Sequence, residues 1–212
     1  MYRTGPVEKY LADAAAGLPA PGGGSVSALA GALGASMACM AANFTVGKKK
    51  FAAVEAEARA LLAQCEAGCK SLLELMDSDV AAYGTVSAAY GMPRETDEQK
   101  AARTAAIQDA LHVALAEPLA AFRQSLEVLR LLDRLAEIAN PNLISDVGVA
   151  AILLEAALRG AKINVEINLA SLKDAAFVAE TRKEIEDGAA EAAGIAASVV
   201  ARVYQKMGWP PA

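Results

Sequence analysis

Apolar residues recur at helical spacing almost without interruption from residue 7 to residue 207, and the period-two alternation of a strand persists nowhere. A short first helix is predicted near Val7 to Gly17. The turn Leu18-Pro19-Ala20-Pro21-Gly22-Gly23-Gly24 follows, with Ser25 placed to cap the next helix. That helix carries two stripes. Leu29, Leu33, Met37, Met40 and Phe44 form one; Ala28, Gly31, Ala35, Ala38 and Ala42 form the other, small enough for a neighbouring backbone to come close. A long helix then sets Val54, Ala58, Leu61, Cys65, Cys69, Leu72, Met76, Val80 and Tyr83 on one face and ends around Tyr90-Gly91-Met92-Pro93. Thr96 and Gln99 make a capping box for the next helix, which Pro118 is expected to kink or split. Asn140-Pro141-Asn142 breaks it, and helices are predicted from Ser145 to Arg159, Ala161 to Leu172 and Asp174 to Met207.

With no linker, low-complexity tract or repeat, the expectation is one helical domain over residues 1–212, all-α, a bundle of long antiparallel helices. Hydrophobic residues make up 55% and aromatics only 5%, so alanine and small aliphatics carry the apolar content. A mean hydropathy of +0.28 is high for a soluble monomer and implies an apolar face buried between subunits.

No charged residue occurs between Ala14 and Gly47, and Val26 to Val46 is long enough to span a bilayer. It is built from Ala, Gly and Ser rather than Leu, Ile and Phe, so it reads as the buried centre of a bundle and not as a membrane span. No signal peptide is expected, and the location is cytoplasmic. The net charge of −5 argues against nucleic acid or an anionic membrane as partner, with Lys48, Lys49 and Lys50 as a local exception. Three cysteines read as reduced thiols. Cys65 and Cys69 could share a helix face, but with only His112 to help, no metal site is expected and the thiols read as buried and inert.

Several groups could carry chemistry. Glycines 22–24 at a helix start let a ligand approach the backbone, and free N–H groups there attract anions; a plain turn explains them equally. The segment is neither a P-loop nor a dinucleotide fingerprint. Asn43, Thr45 and Lys48–Lys50 cluster where the apolar helix ends. The helix dipole favours such cations, and three in a row would also suit an acidic substrate tail. Asp79 is flanked at one-turn spacings by Leu75, Met76, Ala82 and Tyr83, and a carboxylate so placed needs a partner or a job. Asn142, Ser145 and Asp146 sit at a helix boundary, where the last two could be caps. Asn164 and Asn168 lie one turn apart on a helix that is otherwise mostly apolar. His112 reads as structural or exposed.

Five stretches together resemble the cyclodeaminase/cyclohydrolase family, found as the C-terminal domain of formiminotransferase-cyclodeaminase and as standalone bacterial methenyltetrahydrofolate cyclohydrolases. They are residues 21–25 with the Ala-Leu-Ala-Gly-Ala-Leu-Gly that follows, Asn43 to Phe51, Met76-Asp77-Ser78-Asp79 with Ala82-Tyr83, Asn142 to Asp146, and Asn164 to Asn168. Ala139 stands where the family commonly has glycine, and Pro141 separates the two asparagines.

The resemblance implies an all-α homodimer with a tetrahydrofolate site and no metal or organic cofactor. The activity expected from it is hydrolysis of 5,10-methenyltetrahydrofolate to the 10-formyl form. The alternatives are a formimidoyltetrahydrofolate cyclodeaminase releasing ammonia and a folate-binding helical scaffold without turnover. Under that reading Asp79 or Asp146 is the base and Lys48 an acid or electrostatic partner. Gly22, Gly23, Gly24, Ser25, Asn43, Thr45, Asn142, Ser145 and Asn164 hold the pterin or the one-carbon bridge, and Lys49 or Lys50 meets the glutamate carboxylates.

Overall fold

The computed structural model describes residues 1–209, and every regular element among them is helical. Six α-helices follow in order: α1 (Val7–Ala15), α2 (Gly23–Asn43), α3 (Glu55–Tyr90), α4 (Asp97–Ile138), α5 (Ile144–Leu169) and α6 (Ala175–Met207). Short 3₁₀ turns at Lys49–Val54 and Pro141–Leu143 precede α3 and α5. The long helices alternate in direction, so each packs antiparallel to its sequence neighbour. Glu57 of α3 pairs with Arg134 of α4, whereas Ser78 of α3 bonds Glu117 of α4. Helices α4 and α6 run parallel, stitched by Arg123–Glu184 and Arg130–Glu191 at 2.5 and 2.6 Å on a wet surface.

The small stripe of α2 explains the assembly. Ala28, Ala35, Ala38 and Ala42 are fully buried, and α3 and α5 press against the helix from two sides. The expected large stripe is only partly turned outward: Leu33 is 52% exposed and Met40 and Phe44 are also exposed, whereas Leu29 and Met37 are half-buried against the core. Helix α2 is long and apolar enough to cross a membrane by length and composition, and more than half of its apolar window is buried inside the bundle.

Three boundaries differ from expectation. Helix α2 begins at Gly23, with Gly22 as its N-cap, so Ser25 lies inside the first turn and caps nothing. The predicted break at Gly160 is absent and α5 is one helix. A Cβ at Gly160 would lie 2.5 Å from Ser27 Oγ, so this glycine serves close packing of α5 on α2 and not a turn. Helix α4 is not split at Pro118. A proline in a helix interior costs about 3 kcal/mol, which the buried packing of Leu115, Leu119 and Phe122 around it offsets. The capping box of Thr96 and Gln99 is present, and Asp174 caps α6 by accepting from the Phe177 N–H at 3.0 Å.

Candidate active site

Helices α3 and α4 extend past the start of α2, and a cleft of about 310 Å³ forms where these three meet α5. Its walls are the Pro19–Gly24 turn, Asp79, Ala82, Tyr83 and Val86 of α3, Ala114 and Pro118 of α4, and Asn164, Ile167 and Asn168 of α5. A larger cavity of about 800 Å³ beside α6 contains Glu137, whose carboxylate is already engaged by Arg134 and Arg202. The smaller cleft is where reactive groups converge.

Asp79 is its centre. The Ser25 N–H, an orphan donor of the α2 start, donates to Asp79 Oδ2 at 2.9 Å. Ser25 Oγ donates to the Met76 carbonyl at 2.7 Å and lies 2.9 Å from the Tyr10 hydroxyl, which pins α2 to α3 one turn before Asp79. Asp79 Oδ1 accepts from no group among the described residues. Burial raises the Asp79 pKa above the usual carboxylate range; the Ser25 N–H opposes this and the nearby Glu117 charge adds to it. Glu117, a residue the sequence pattern did not single out, is held by a hydrogen bond from Ser78 Oγ.

The glycines work by proximity. A Cβ at Gly24 would overlap the Asp79 carboxylate, and one at Gly23 would lie 2.9 Å from Asn164 Nδ2. Asn164 donates to the Gly160 carbonyl and Asn168 to the Asn164 carbonyl, each at 2.9 Å; both residues line the cleft, and neither side-chain oxygen accepts a hydrogen bond among the described residues.

The remaining candidates lie at the opposite end of α2, about 30 Å away at 1.5 Å per residue. Asn43, Lys48, Lys49 and Lys50 are exposed there, as are Asn142 and Ser145, while Asp146 is half-buried. No ion-pair partner faces the three lysines among the described residues. Thr45 is fully buried and commits its hydroxyl to the fold, donating to the Ala41 carbonyl and accepting from the Asn140 N–H, both at 2.9 Å. Within one chain, therefore, Asp79 and Asn164 line the same cleft, whereas Asp146 and Lys48 stand apart from them. Helix α5 starts at Ile144 without a side-chain cap, so neither Ser145 nor Asp146 is a cap; Asp146 sits in the first turn, where the dipole favours it.

Asp77, two residues before Asp79 on α3, is a structural tether: the Tyr2 N–H donates to its Oδ1 at 2.6 Å. Burial pushes the Cys65 thiol up to about 12 and Cys39 to about 11, so neither is a nucleophile near neutral pH. His112 packs edge-on against Phe177 at 4.9 Å. Among the described residues no three His, Cys, Asp or Glu side chains converge as a metal ligand set.

Comparison with known proteins adds the family. Residues 6–187 match formiminotransferase-cyclodeaminase. A methenyltetrahydrofolate cyclohydrolase of Methylorubrum extorquens is 42% identical over 95% of this chain and 97% of its own length. The formimidoyltransferase-cyclodeaminase of Rattus norvegicus is 35% identical over 90% of this chain, which spans only 35% of that longer protein. The crystal structure of a formiminotetrahydrofolate cyclodeaminase from Thermotoga maritima superposes with a TM-score of 0.77, at 29% identity and covering 96% of each chain. The chain belongs to the formiminotransferase-cyclodeaminase family.

Proposed function

We propose that this chain is a methenyltetrahydrofolate cyclohydrolase, with Asp79 as its general base. The carrying observation is one partly buried carboxylate, raised in pKa, in a cleft walled by a glycine turn and an asparagine. The near full-length match to a bacterial cyclohydrolase supports this activity over the alternative.

The substrate carries a cationic, electrophilic carbon between N5 and N10. Ionised Asp79 stabilises that cation and takes a proton from water as the water oxygen bonds to the carbon. The adduct then opens: the carbon–N5 bond breaks, Asp79 returns its proton to N5, and the hydroxyl loses a proton to leave the 10-formyl product. The balance is one water consumed and one proton released. A raised pKa suits a group that must both accept and donate near neutral pH.

A second reading, formimidoyltetrahydrofolate cyclodeaminase, has the support of the Thermotoga maritima structure. It closes the same ring while expelling ammonia, which an ammonia assay separates from hydrolysis.

The active form is a homodimer in the cytoplasm, built on the α2–α5 face. Val26, Leu33 and Met40 on α2 and Ile152, Ile163 and Ile167 on α5 form an exposed apolar strip, with Ile163 65% and Ile167 68% exposed. The occupant is a second copy, because the site residues divide between the two ends of this strip. A two-fold axis through its middle turns the partner end for end, carrying its lysine end toward this chain's Asp79 cleft. The partner copy then supplies Lys48, Lys49, Lys50 and Asp146, with Lys49 or Lys50 meeting the glutamate tail.

The experiment is loss of the near-ultraviolet band of 5,10-methenyltetrahydrofolate. Acceleration above the buffer blank supports the reading; none, with ammonia released from formiminotetrahydrofolate, transfers it to the cyclodeaminase.

A further inference from the structure

Pro118 stands inside an unbroken helix, at the wall of the cleft. Helix α4 runs from Asp97 to Ile138 through Pro118, which has no N–H to give. The carbonyl that would receive that N–H, four residues earlier, belongs to Ala114. Ala114 and Pro118 both line the cleft that holds Asp79. Pro118 is buried, whereas Ala114 is partly open. A carbonyl stripped of its helical donor needs another donor, and both residues of this step line the cleft.

Other polar atoms of this wall have the same character. The Asn164 and Asn168 amides each give one N–H to a carbonyl of α5, and their side-chain oxygens accept from no group among the described residues. Asp79 Oδ1 also accepts from nothing among the described residues. The wall of α3, α4 and α5 thus offers several unengaged acceptors, which suit a flat ring whose edge is rich in donors.

We propose that the Ala114 main-chain carbonyl, kept open by Pro118, is a binding group that accepts a hydrogen bond from the amino or ring N–H edge of the pterin. This rests on the tetrahydrofolate reading of the cleft and names the group that orients the ring within it. The proline is there for what it withholds: any other residue would donate to Ala114 and compete with the ligand for the acceptor.

Replacing the proline should therefore tighten the helix and loosen the ligand. The test compares Pro118→Ala and Pro118→Val with the wild type, reading the midpoint of thermal unfolding and, by calorimetry, the Kd for 5-formyltetrahydrofolate. That folate is stable on the bench and carries the same pterin edge. Both variants should melt higher than wild type and bind roughly tenfold more weakly, the worth of one hydrogen bond to a ligand. Unchanged affinity with a raised midpoint overturns the proposal. Weak binding by Pro118→Ala but wild-type binding by Pro118→Val also overturns it, because ring volume and not the missing N–H would then be at work. A wild type that binds the folate but does not accelerate hydrolysis contradicts the cyclohydrolase reading and leaves this comparison fully readable. A wild type that binds no folate overturns both.

Discussion

Asp79 Oδ2 accepts the Ser25 N–H at 2.9 Å across 54 positions of the chain, so the start of α2 is capped by a carboxylate from α3. One contact thereby closes the bundle and aims a carboxylate into the cleft. The same group is held partly out of water, which raises its pKa, chiefly by desolvation.

Replacing Asp79 by Asn keeps an oxygen for the Ser25 N–H and removes the proton acceptor. Turnover should fall by a factor on the order of 10² to 10⁴, the usual worth of a general base. Folate affinity should stay within a few-fold, as calorimetry can show.

Stability should move the other way. A raised folded-state pKa means that the protonated form suits the fold, so the wild type loses stability as pH rises through that value. Asp79→Asn should melt higher than wild type near pH 7. The difference should vanish below the ordinary aspartate value of about 4, where both states of the wild type are protonated. Melting curves from pH 3 to 8 test this, and a variant that melts lower at pH 7 would show the carboxylate to be a net structural asset.

Gly24→Ala would drive a methyl group into the Asp79 carboxylate. Displacing that base by about 1 Å should cost on the order of 10²-fold in kcat, with a stability loss of about 1–3 kcal/mol from overpacking. Gly194→Ala, on α6 away from the cleft and with open space around its Cβ, is the matched control and should retain activity.

Leu33 marks the middle of the exposed α2 strip, and Leu33→Glu should convert the proposed dimer to monomers with loss of turnover, as sedimentation and assay together can read. Mixed dimers test whether the site is shared. Asp79→Asn and Asp146→Asn, each inactive alone, should regain about a quarter of wild-type activity when unfolded and refolded together in equal amounts. Half of the dimers are then mixed, and half of their sites hold both native aspartates. No recovery would place the whole site within one chain.

The local signals in the sequence carried over well where they depended on neighbours a few residues away. The Thr96–Gln99 capping box and the end of α3 at Tyr90 are of this kind. Asp79 stood out because a carboxylate among apolar helix positions needs a reason. What could not be read was distance in space. Gly160 resembles a helix break until Ser27 is found against it, and the Leu33 stripe of α2 resembles a core face until the alanine stripe is seen to be the buried one. Asn43 and Asn164 belong to opposite ends of the bundle, which no spacing rule reveals. Glu117 and Ala114 acquire meaning only through Ser78 and Pro118 on the folded surface.

The central claim is tested most directly by following the near-ultraviolet absorbance of 5,10-methenyltetrahydrofolate with wild type and Asp79→Asn, in a buffer where spontaneous hydrolysis is slow. The account predicts rapid loss of the band with wild type and a rate close to the blank with the variant, both proteins folded and dimeric. Wild-type rates in the folded Asp79→Asn protein would contradict it.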